Sequence, residues 1–507
     1  MRPRAILLSG LTLLLCLLCL PQCGGGGQPI AGGSPAYALA LGQSATLIRD
    51  ARITPDGGTV RVAQPGHALD GLTLTIGTFA YQAGTSVTLR AAAITGHSFG
   101  ALLRPVTPLI TLENDGQPIE SGVMHLRIPV TTGDGEAPMA LAYDARRGAV
   151  EVLSPLAVTD TSLTVGVTRL APPVNLAAPG GTAGGLALFV AAVRESALPT
   201  VADSGLRPAA HGWQFPNVGS FITPGGQCLG WSCTALYHYL TRRGTSPILY
   251  GRYDNSAGGF PTPQCWQDDA DAYRLAVAAQ HAEDGVWWTY LQALPASTPR
   301  LDRLQALACR LAIHLTGEPQ LVSLFNPGGR AHVTVAYRVA GDEIALADPE
   351  YPADDTRRLT VGDNGFGHYE AYYMLHYLSR STAIRWEEIA ELWGRFDGGQ
   401  LGSDLFPRTR LEWRDGPGAW REVTGPLVTA ADGIELRARV ENVATPGWIA
   451  YTRAPQALDA APVIERDQRV YPLAAGEQII GVNILGIPDG QSDWHWVDFQ
   501  WLTIRRP

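Results

Sequence analysis

Apolar and polar positions along the chain repeat with two different periods, and the change of period divides it. Between about 45 and 195 the period is two. "GTVRVAQPG", "LTLTIG", "SVTLRAAAI", "VMHLRIPV", "MALAYDARRGAVEVL", "SLTVGVTRL" and "LALFVAAV" are short alternating runs separated by turn residues. Such alternation predicts half-buried strands, and so many in series predict an all-β sandwich over 45–195. From about 200 the period lengthens: "CLGWSCTALYHYLTRRG", "DDADAYRLAVAAQHAE" and "TPRLDRLQALACRLAIHLTG" carry apolar residues three and four apart, as helices do. "QLVSLFN", "HVTVAYRV", "EIALADP" and "HYEAYYML" then return to strand-like runs. Helices followed by an antiparallel sheet predict an α+β domain over 200–380. "AIRWEEIAELWGRF" predicts a linking helix within 381–404. "GIELRARVEN", "GWIAYTR", "QRVYPLAAGEQIIGVNILG" and "WHWVDFQWLTIRR" predict a second all-β sandwich over 405–507. The alternating tryptophans of that last run read as core aromatics, with a carbohydrate platform as the lesser alternative.

The first 44 residues follow neither period. Arg2 and Arg4 precede "AILLSGLTLLLCLLCL", the length of an export-signal core and short for a membrane span. "PQCGGGGQP" follows, and 24–44 is Gly/Pro-rich, as befits a tether. A cysteine just behind the apolar run, with a glycine spacer after it, resembles a bacterial lipoprotein. The resemblance makes 1–23 a lipoprotein signal peptide and Cys23 the acylated residue. It implies an exported protein held to a membrane on the extracytoplasmic side; the "LPQ" before Cys23 departs from the small residues usual there, and plain secretion is the alternative.

Composition narrows the chemistry. Apolar residues are 46% and charged ones 17% of 507, which fits folded domains rather than disorder. The net charge is −9 and there is no basic cluster, so nucleic acid is not an expected partner. No lysine occurs anywhere, which excludes a lysine Schiff base and leaves Cys, Ser, Thr or a carboxylate as nucleophile. Beyond the signal segment there is no HExxH, no CxxC and no Gly-rich phosphate loop, and no metal or cofactor is expected. Beyond the signal lie Cys228, Cys233, Cys265 and Cys309; one disulfide among the last three would be compatible with export.

Pro224, Gly225 and Gly226 break the chain immediately before Cys228, and Leu229, Cys233, Leu236 and Leu240 then follow at helical spacing. Cys228 is thus expected at a helix N-terminus, where unpaired N–H groups and the helix dipole favour a thiolate, while Cys233 falls on the apolar stripe. Downstream, His332 opens one strand and Asp348 closes the next. A hairpin turning near 340–342 would bring the carboxylate within reach of the imidazole.

This order resembles the papain-like cysteine peptidase superfamily: a Cys at a helix start, "LTGEPQLVSLFNPGG", "AHVTVAYRV" and "ALADPEYP". Within it the likeness is to the bacterial double-glycine peptidase branch and its secreted relatives, and it covers roughly 205–380. The resemblance implies a papain-like fold for the middle domain, with Cys228 as nucleophile, His332 as general base and acid, and Asp348 as the orienting group. The substrate would be a peptide or protein. Many members carry an oxyanion-hole Gln six residues before the cysteine. That place holds Ile222 here, so Gln227, Gln214 and Asn217 become the candidate donors beside the Cys228 N–H. A transamidase with the same triad and a catalytically silent surface adhesion or binding lipoprotein are the alternatives.

Overall fold

The structure is a computed structural model that describes residues 36–507 apart from 79, 116–121, 174–184, 254–269, 293, 295, 327, 402–404, 442, 444–446, 454–462 and 467–469. The signal segment, Cys23 and Cys265 lie outside the described residues, as does most of the expected tether. The last part of that tether is already strand: Leu39–Ile53 pairs along its length with Thr85–His97. The glycine and proline that suggested a tether thin out after Pro35, and an alternating "LALGQSATLIRDARI" begins.

The chain is rich in β-structure. The expected alternating runs of the first part are strands of two facing sheets, one of seven strands and one of five. Beyond residue 405 two more sheets, of four and five strands, face one another across Leu411, Ile434, Leu436, Val482, Leu502 and Ile504. Between the two sandwiches lies a seven-stranded antiparallel sheet. Its strands run Gly365–Phe366, Arg358–Gly362, Glu343–Ala347, Ala331–Ala340, Gln320–Phe325 and Met374–Leu378, and Val201–Asp203 pairs with the far end of Ala331–Ala340.

This middle sheet is covered on both faces, which is why its central strands read as nearly continuous apolar runs. Leu321, Val333, Val335, Ala345 and Ala347 pack on one side with two helices, Cys228–Arg242 and Ala270–Gln292. Val322, Leu324, Val339, Ile344 and Leu346 pack on the other with the helix Pro299–Thr316 and with the first sandwich. Pro299–Thr316 is bounded by local signals at both ends. The Thr298 hydroxyl accepts from Leu301 N–H at 3.2 Å, and Gly317 closes it at φ 66°.

The expected linking segment is an interior element, and the joints between the sandwiches and the middle sheet are buried as well. The helix Trp386–Asp397, expected as a connection, buries Trp386 and Trp393 in the same cluster as the cysteine helix. Arg242 lies over the Trp393 ring at 4.4 Å and pairs with Asp397 at 2.6 Å. The first sandwich is joined to the middle by a buried polar seam. Glu151 accepts from the Ser381 N–H and hydroxyl, Ser379 N–H donates to Ser154 Oγ, and Thr168 N–H donates to Thr382 O. The last sandwich supplies Trp496 and Phe499 to the cluster that contains Cys228. No helix among the described residues is long and apolar enough to cross a membrane.

Candidate active site

Cys228 is the first residue of its helix and is 5% exposed. The chain reaches it through a tight reversal in which Ser220 N–H donates to Thr223 O and Gly226 N–H donates to Thr223 O. Gly226 lies at φ 119°, and a Cβ there would come within 2.7 Å of the Asn217 amide oxygen, so glycine is required. The helix has no cap from its own N-cap side chain. Gln280, on the neighbouring helix Ala270–Gln292, replaces it, its Oε1 accepting from Leu229 N–H at 2.9 Å and Gly230 N–H at 3.1 Å. The approach of the two helices depends on Gly230, where a Cβ would lie 1.9 Å from the Ala276 carbonyl. Trp231 N–H is taken by Gln227 O. Among the described residues, the Cys228 N–H is left without a partner at the helix terminus, where it can serve an incoming anion.

His332 and Asp348, each 1% exposed, reach one another through the hairpin that the sequence predicted. Ala340 pairs with Glu343 across a two-residue turn. The register is regular down to Arg338↔Ala345 and then shifts by one, resuming at Ala336↔Leu346 and Val335↔Ala347. The extra residue is Tyr337, whose carbonyl turns out to accept from Ser204 N–H and Oγ, both at 2.9 Å. Continued by one residue, the shifted register sets Asp348 opposite Thr334, on the face that carries His332.

The ring then makes two contacts. His332 Nε2 lies 2.7 Å from Asp348 Oδ1; the carboxylate can only accept, so Nε2 carries the proton. The Cys228 thiol lies close enough to the same ring to act on its charge, and with Nε2 given to Asp348 it is Nδ1 that is left for the sulfur. Tyr372 stacks on the imidazole at 5.6 Å between centroids and 14° between planes. Asp348 is held by two further donors, Glu350 N–H on Oδ1 at 2.9 Å and the Tyr369 hydroxyl on Oδ2.

Electrostatics follow from this packing. Burial opposes charging of His332, but the hydrogen bonds to Asp348 and Cys228 and the negative charges on both outweigh it and lift the imidazole to about 10. Burial likewise works against the Asp348 carboxylate, yet His332, Tyr369 and the Glu350 N–H hold it below its ordinary range. The Tyr372 phenol is pushed up to about 12 by burial and by the charges of Cys228, Glu350, Asp348 and Glu370.

The side chains proposed as oxyanion donors serve the loop instead. Gln227, fully buried, accepts from Gly219 N–H at 2.8 Å and donates to Pro216 O at 3.1 Å. Asn217 accepts from Gln227 N–H at 2.5 Å and donates to Glu350 Oε1 at 3.1 Å, tying the cysteine turn to the aspartate turn. Gln214 accepts from Gly251 N–H at 3.1 Å. Arg330, two residues before His332, is exposed. Cys233 and Cys309 are buried free thiols whose pKa values burial raises, to about 12 for Cys309. No cluster of potential metal ligands occurs among the described residues.

Gln280, Tyr369 and Tyr372 were not foreseen. Gln280 had a sequence signal, a lone amide amid Ala276, Val277, Ala278 and Ala279 on a buried stripe. The two tyrosines lie in "HYEAYYML", which was expected as strand. It is a tight turn closed by Tyr369 and Tyr372, with the strand starting at Met374. Comparison with protein-family models, curated proteins and solved structures found no match.

Proposed function

We propose that the chain is an exported papain-like cysteine hydrolase that acts as a peptidase, with Cys228, His332 and Asp348 as its triad. The observation that carries this reading is the His332 ring, held by Asp348 at 2.7 Å and close enough to the Cys228 thiol for the two to act on each other's charge. The thiolate is the form that attacks, and the imidazole beside the sulfur is placed to take the thiol's proton. The sulfur adds to the scissile carbonyl, and the Cys228 N–H stabilises the oxyanion at the helix terminus. His332 passes its proton to the leaving amine as the C–N bond breaks, leaving a thioester. The neutral ring then takes a proton from water, whose hydroxide adds to the thioester carbonyl. The acid product departs and the thiolate–imidazolium pair returns. An amine in place of water would give transamidation by the same first half.

The placement is part of the proposal: Cys23 is the lipid-bearing residue of an anchored protein. Detergent-phase partitioning that disappears in Cys23→Ser would bear this out. The triad is tested by iodoacetamide labelling near neutral pH followed by mass spectrometry. Rapid modification of Cys228 that collapses in His332→Ala is expected; equal rates in both proteins would refute it. The near-complete burial of the thiol favours one second reading, a surface binding protein that keeps the triad without turnover. Hydrolysis of casein by wild type against Cys228→Ala separates the two.

A further inference from the structure

We infer that Tyr369 is a positioning residue of this triad, acting through Asp348, and that Arg357 fixes the direction in which its hydroxyl points. The inference rests on the triad reading of the site. Tyr369 is buried, so its hydroxyl is not offered to substrate. Arg357 Nε donates to the Tyr369 oxygen at 2.7 Å. That occupies a lone pair of the phenol, and its single proton is left for Asp348 Oδ2. The other carboxylate oxygen receives His332 Nε2–H and Glu350 N–H. With both oxygens filled by donors, the carboxylate cannot rotate away from the imidazole and stays an anion despite its burial.

The backbone makes this arrangement more than a chance contact. Tyr369 and Tyr372 exchange N–H···O bonds in both directions at 2.9 Å, closing a turn in which Glu370 adopts φ 53°. One end of that turn supplies the hydroxyl beneath Asp348. The other supplies the ring stacked on His332. Glu370, at the tip, pairs with Arg357 and accepts from the Tyr351 hydroxyl at 2.6 Å, while the Arg357 guanidinium lies 3.8 Å from the Tyr351 ring centre. The arginine is therefore held from two sides in the position that orients the phenol. An Arg–Tyr–Asp–His–Cys chain runs from the protein surface to the sulfur.

The test uses Tyr369→Phe and Arg357→Gln in the full chain, with iodoacetamide labelling of Cys228 measured from pH 4 to pH 9. Loss of the hydroxyl is expected to slow labelling roughly tenfold at neutral pH, the worth of a hydrogen bond to a buried charge. It should also move the acid limb of the profile to higher pH, because Asp348 then takes up a proton more readily. Arg357→Gln should shift the limb the same way by less, and it carries the test if Tyr369→Phe does not fold. A merely structural tyrosine would lower the melting temperature and leave the limb in place; that result, in a variant that still labels, overturns the inference. Wild-type labelling indifferent to His332→Ala would instead remove the triad itself. A normal His332 dependence with unchanged Tyr369→Phe and Arg357→Gln profiles would remove only the role of the tyrosine.

Discussion

Asp348 meets His332 because the histidine strand carries one residue too many at Tyr337. Had the register Arg338↔Ala345 continued unbroken, Asp348 would stand opposite Val335, and its carboxylate would project from the other face of the sheet. The bulge moves it by one residue to the face of the imidazole, where the two groups lie 2.7 Å apart. The aspartate is an anion in a buried place, so its charge is what stabilises the protonated ring. Asp348→Asn keeps an acceptor oxygen and removes that charge. The imidazole should fall from about 10 toward its ordinary value, and labelling of Cys228 at pH 6–7 should slow tenfold or more. The measurement is the labelling rate of the variant against wild type, and equal rates would count against an electrostatic role.

The same raised value sets a prediction at the alkaline side. His332 must carry a proton to protonate the leaving amine, and it keeps that proton until the pH approaches about 10. Turnover of a peptide substrate should therefore hold through pH 8–9 and fall as the pH rises through about 10. The stability contribution has the same sign: a folded-state pKa raised above 6.5 favours the fold fully below 6.5 and is lost as the pH climbs through 10. A pH–rate profile that declines near pH 7 would contradict the assignment.

What could be read from the chain divides along a physical line. Local signals worked where short-range geometry decides. Pro224–Gly226 before Cys228 marked the helix start, and the turn near 340–342 put Asp348 near His332. The bulge at Tyr337 was hidden, because it depends on Ser204 arriving from a distant strand to satisfy a carbonyl. Gln227 and Asn217 looked free to assist an oxyanion; their amides are used by the loop that they stiffen, a matter of three-dimensional closure. An apolar stripe announces burial without naming what covers it. Hence Trp386–Asp397 read as a connection, and the sandwiches read as separate modules, although both share cores with the middle sheet.

Gly230 illustrates the same limit and yields a stability test. In sequence it is an isolated glycine inside a helix, nominally worth replacing with alanine. In the fold a methyl group there would collide with the Ala276 carbonyl and the Gln280 N–H, and would push apart the helices that Gln280 staples together. Gly230→Ala should destabilise by about 3 kcal/mol or more, as overpacked sites do at their worst. Because the displaced Gln280 frees two N–H groups next to the sulfur, labelling of Cys228 should change as well. Urea unfolding checks the first effect and the labelling rate the second; a variant as stable as wild type would refute the close approach.

Glu283 gives a pH dependence that does not involve the triad. It is 1% exposed on the helix Ala270–Gln292, with Arg385 Nε 3.4 Å from its Oε1, and that oxygen has no hydrogen-bond partner among the described residues. Burial, only partly offset by Arg385, pushes its carboxyl from 4.5 up to about 7. A raised carboxyl binds its proton more tightly when folded, so the fold is favoured below pH 4.5 and loses that advantage as the pH rises through 7. Glu283→Gln has nothing to ionise. It should match wild type near pH 4 and exceed it above pH 7 by up to about 3 kcal/mol, the product of the shift and the energy of one pH unit. Thermal unfolding of both proteins from pH 4 to pH 8 measures the difference, and parallel curves would show that the carboxyl titrates alike in the folded and unfolded chain.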